Sequence, residues 1–83
     1  MRHVCTADTD LDELVGRQSE WVGDFRYGPL PRAMKNDEEL VLENSRELSA
    51  FMLAKVKILI WDLFVVETEE RIHPGEHFRL ILD

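Results

Sequence analysis

Four side chains belong to the types that bind metals or activate nucleophiles: His3, Cys5, His73 and His77. Imidazole and thiolate are good zinc ligands, so the four would make a complete tetrahedral set if the segment holding His3 and Cys5 lay beside residues 73–77. A lone cysteine with a few histidines near a turn is more commonly unliganded, and neither a metal nor a cofactor is expected. His73, Glu76 and His77 spell His-x-x-Glu-His, the pattern of one class of zinc protease. That chemistry needs both histidines one helical turn apart on one face, whereas Pro74-Gly75 between them makes a turn and removes the helix. Cys5 paired with a histidine has no orienting residue and no glycine-rich oxyanion segment beside it. The chain carries no Walker loop, dinucleotide fingerprint, EF-hand loop or paired CxxC. No catalysis is expected.

Carboxylates are plentiful. Against 10 Lys and Arg stand 17 Asp and Glu, a formal net charge of −7, which repels phosphate backbones and argues against direct nucleic-acid binding. The acids gather at Asp8, Asp10, Asp12 and Glu13, at Asp37, Glu38 and Glu39, and at Glu67, Glu69 and Glu70. Two of these groups fall where helices should begin, where acids complement the positive end of the dipole. The first and last groups are also the candidate acidic partner-binding residues.

The 83 residues suffice for one small domain, 1–83, and the 45% apolar and 33% charged content favours a folded chain. A single cysteine excludes an internal disulfide framework, and no apolar signal segment follows Met1-Arg2-His3, so a reducing, cytoplasmic setting is expected. Thr9 with Asp12 resembles a capping box, and Leu11, Leu14, Val15 and Val22 recur at helical spacing, predicting a helix over about 10–22. Gly16 and Gly23 weaken its second half, where a hairpin around Gly23-Asp24 is the rival. Residues 28–35, with Pro29 and Pro31, read as a stiff connector. Asn36 with Glu39 starts a second predicted helix, about 37–66, along a stripe through Val41, Ser45, Leu48, Met52, Val56, Leu59, Leu63 and Val66. Five β-branched residues after Lys55 support the rival, a helix ending near 54 and a strand over 55–66. His73-Pro74-Gly75-Glu76 reads as a β-turn, followed by alternation at Phe78, Leu80 and Leu82, so a hairpin or strand is expected over about 67–82, with Arg79 opposite Glu70. The class is α+β.

Ala50 to Val66 is the unusual stretch: seventeen residues in which only Lys55, Lys57 and Asp62 are charged. It is too short and too charged for a membrane span. Leaving Trp61, Phe64 and Val65 exposed would forgo about 5–9 kcal/mol of burial, comparable with the whole stability of a chain this size, about 4–12 kcal/mol. A partner surface including Trp61, Phe64 and Val65 is therefore predicted. The expected function is that of a small acidic, non-enzymatic protein that binds another protein as a regulator or inhibitor. One version has the carboxylates imitating nucleic-acid phosphates in the groove of a nucleic-acid-processing enzyme. Self-association through the apolar segment, as a homodimer or within a hetero-complex, is part of the expectation. The alternatives are a structural or assembly subunit and, third, a small metal-binding protein.

Overall fold

The computed structural model describes residues 1–18 and 24–83 and shows a small α+β fold. Its centre is a parallel sheet of β1 (Arg2–Val4), β4 (Glu39–Glu43) and β7 (Arg79–Leu82) in the order β1-β4-β7. Leu40 and Leu42 on the middle strand are fully buried, while Glu39, Val41 and Glu43 alternate onto the other face. Between the first two strands of the sheet run α1 (Leu11–Val15), the antiparallel pair β2 (Gly16–Gln18) and β3 (Phe25–Tyr27), and α2 (Pro29–Asn36). Between β4 and β7 come a 3-10 turn (Ser45–Glu47), α3 (Ala50–Leu59), and a hairpin of β5 (Leu63–Val65) and β6 (Glu70–Ile72). Leu14, Leu30, Met34, Val56, Leu63 and Ile72 close the core over Leu40 and Leu42.

The predicted first helix stops at Val15. Gly16 takes φ +137°, a conformation closed to other residues, and turns the chain into β2; residues 19–22 of that prediction lie outside the described residues. Its cap is Asp10, whose Oδ1 accepts the Glu13 N–H at 2.9 Å. Thr9 accepts the Thr6 N–H instead.

The connector over 28–35 is a helix. Pro29 and Pro31 occupy the first turn of α2, where a missing N–H leaves no intrahelical bond unmade and the fixed φ suits the helix. Both prolines are buried with Leu30, Ala33 and Met34.

The predicted helix over 37–66 is overturned. Asp37 ends α2 in the left-handed region at φ 56°, Asn44 ends β4 at φ 57°, and Ser49 opens α3 by accepting the Met52 N–H at 3.1 Å. Leu40 and Leu42 follow a period of two that the three-and-four stripe through Val41 and Ser45 masked. The rival is wrong over its first part, since α3 runs to Leu59, and holds for β5 alone at its end.

At the end of the chain, β6 pairs with β5, and β7 crosses to β4. Residues 73–76 therefore close no hairpin, and Arg79 stands opposite Glu39 instead of Glu70.

Candidate partner-docking surface

The ten residues of α3, Ala-Phe-Met-Leu-Ala-Lys-Val-Lys-Ile-Leu, are apolar on two opposite sides, with Lys55 and Lys57 between them, and a helix this apolar ordinarily buries more than one side. Here the core receives one side only. Met52 and Val56, four apart, are buried, with Leu53, Leu59 and Ile60 half-buried beside them. At 3.6 residues per turn, Phe51, Ala54 and Ile58 lie on the opposite side. The Trp61 N–H donates to the Ile58 carbonyl at 3.2 Å and carries the turn one step further, so Trp61 prolongs that stripe. Phe51 and Ile58 are each 68% exposed and Trp61 74%. Lys55 and Lys57 flank the stripe on its two sides, and the Lys55 ammonium lies 5.8 Å from the centre of the Phe51 ring.

The predicted apolar residues divide. Trp61 and Phe64 are exposed. Val65 is corrected: it is only 2% exposed, because in β5 Leu63 and Val65 point inward and Phe64 outward. The Arg71 guanidinium sits 5.4 Å from the Phe64 ring centre and also pairs with Asp62, so the outer face of this hairpin is partly covered by its own arginine. Phe51 and Ile58 were missed by the sequence reading. Their signal was the cap at Ser49, which places 51, 54, 58 and 61 on one line.

The acidic candidates divide as well. Asp10 caps α1, and Glu13 accepts the Thr9 hydroxyl at 3.0 Å and pairs with His3 Nε2 at 2.7 Å. Glu70 accepts the Tyr27 hydroxyl and an ion pair from Lys35 at 3.0 Å; those two partners hold its carboxyl below the usual range, while Glu70 raises Lys35. These three acids are thus parts of the fold. Asp8, Asp12, Glu67 and Glu69 are exposed.

The three histidines are each held by a different carboxylate. His3 is on Glu13, His73 lies 3.7 Å from Asp62, and His77 is 2.7 Å from Asp37. Cys5 is buried, and burial, reinforced by Glu13, pushes its thiol pKa up, which keeps the weakly nucleophilic thiol form. Among the described residues, no group of three or more His, Cys, Asp or Glu could hold a metal ion, and no helix is long and apolar enough to cross a membrane.

Comparison with family models, with curated proteins and with solved structures finds no match in any of the three.

Proposed function

We propose that this chain is a non-enzymatic protein that acts by binding another protein, with the outer stripe of α3, Phe51, Ile58 and Trp61, as its docking surface. A single observation carries the reading: α3 is apolar on two opposite sides, and the core covers only the Met52 and Val56 side. Lys55 and Lys57 along the margins favour a partner helix or loop whose apolar residues are bordered by carboxylates. They disfavour pairing of α3 with a second α3, since a two-fold arrangement sets lysines of one copy against those of the other. Phosphate mimicry draws less support, because Asp10, Glu13 and Glu70 are engaged within the fold.

The test is affinity capture with the wild-type chain and with Phe51→Glu/Ile58→Glu, which changes exposed side chains only and should keep the wild-type circular dichroism. A partner retained by the wild type through a high-salt wash and lost by the variant is the expected result. Equal retention by both proteins contradicts the docking surface. Release of the partner by salt alone points to the carboxylates instead.

A further inference from the structure

We infer that a second copy of this chain adds to the free edge of β7, in antiparallel register centred on Ile81, so that the two three-stranded sheets become one six-stranded sheet. Among the described residues β7 is an outer strand of its sheet, and Arg79 to Leu82 carry no proline and a single charge, Arg79, which the proposed register itself pairs. Ile81 and Leu82 are exposed. The same strand lines an open groove of about 520 Å³ with Ile60, Trp61 and Phe78, which leaves room for an added chain.

Which backbone groups face outward follows from the bonds already made. The Asp83 N–H donates to the Leu42 carbonyl, and the Asp83 carbonyl accepts the Ser45 N–H, so the backbone of residue 83 faces β4. Backbone direction alternates along a strand, and Ile81 and Arg79 therefore also face β4, whereas the N–H and C=O of Leu80 and Leu82 face away from the sheet. Two outward residues separated by one inward residue are what an antiparallel partner requires. With Ile81 on the two-fold axis, Leu80 of one copy meets Leu82 of the other and exchanges both main-chain bonds, and the mirrored pair does the same.

The side chains fit that register. Arg79-Leu80-Ile81-Leu82-Asp83 reads as charge, three apolar residues, opposite charge, so reversal about Ile81 sets Arg79 against Asp83 of the other copy at both ends. Those ends are non-hydrogen-bonded pairs, in which side chains approach most closely. A parallel register, or one displaced by a residue, loses the match. The pairing is isologous and closed, which ends growth at two copies on this edge. The groove shares Trp61 with the α3 stripe, but the pairing rests on the β7 backbone and on Arg79 and Asp83, which Phe51→Glu/Ile58→Glu leaves unchanged, so the two tests fail separately.

Arg79→Asp and Asp83→Arg test it. Each alone sets like charges opposite one another at both ends of the pair and should weaken the dimer about tenfold or more. Asp83 otherwise makes an exposed contact with Arg2 at 3.8 Å, so both variants should fold, which circular dichroism checks. Mixed in equal amounts, the two restore opposite charges across the edge, and native mass spectrometry should show a dimer containing one of each. A wild-type chain that stays monomeric in sedimentation at micromolar concentration overturns the inference. So do single variants that dimerise as the wild type does, or a mixture without the mixed dimer.

Discussion

Asp37 holds two parts of the chain with one carboxylate. It ends α2 in the left-handed region, its Oδ1 accepts the His77 N–H at 2.8 Å, and its Oδ2 lies 2.7 Å from His77 Nδ1. Gly75 packs so closely that a β-carbon there would strike the same carboxyl group. The hydrogen bonds from the His77 ring and backbone hold the Asp37 carboxyl below the usual carboxylate range. A carboxyl depressed in the folded state stabilises it fully above the unfolded value, and that contribution fades as pH falls through the depressed folded value. Asp37→Asn keeps a side chain that tolerates the left-handed region and removes the charge. Its melting temperature should therefore fall below the wild type at neutral pH, with the gap closing as the solution is acidified through that range. A gap of constant size across the titration would show that the charge is not what stabilises the turn.

At the scale of elements, local chemistry was legible where one residue type forces one conformation. The final strand, the helical spacing of Met52 and Val56, and the weakness of a helix crossing Gly16 were all readable, whereas Leu48 is extended and precedes α3. Pro29 and Pro31 misled, because their meaning depends on whether a helix begins or continues at them, and the first turn of α2 accepts both. Asn44 and Asp37 ended elements without a glycine or proline, a role open to short polar side chains that visit the left-handed region. The parallel pairing of β4 with β7 was not legible, since it joins residues forty apart and depends on what fills the space between. Trp61 was singled out by its place off the predicted helical stripe, an argument that also named Val65, which is buried, while Phe51 and Ile58 needed the true start of α3. Gly16→Ala tests the best-defined boundary. A β-carbon there would lie 2.4 Å from the Arg26 carbonyl oxygen at φ +137°, so β2–β3 must shift. The expected cost is about 2 kcal/mol or more, read as a lower urea midpoint. An unchanged midpoint would mean that Gly16 does not need that conformation.

For the whole molecule, apolar surface and charge are distributed unevenly. The chain is acidic overall, yet residues 50–61 carry Lys55 and Lys57 and no carboxylate, and the same stretch holds Phe51 and Trp61, the most exposed aromatic side chains among the described residues. On the proposed reading, acidic skin elsewhere would turn away partners of the same sign and leave the lysine-bordered stripe to select one. An ordinary core cannot account for this, because the core already closes on Met52 and Val56 from the other side of the helix. The claim is best tested where the chain works. A photo-crosslinking amino acid placed at Ile58, and in a parallel sample at exposed Arg32 on α2, is activated in the native host. The account predicts one discrete covalent adduct to another protein from position 58 and none to that protein from position 32. Adducts of the same protein at both positions, or none at position 58, would contradict it.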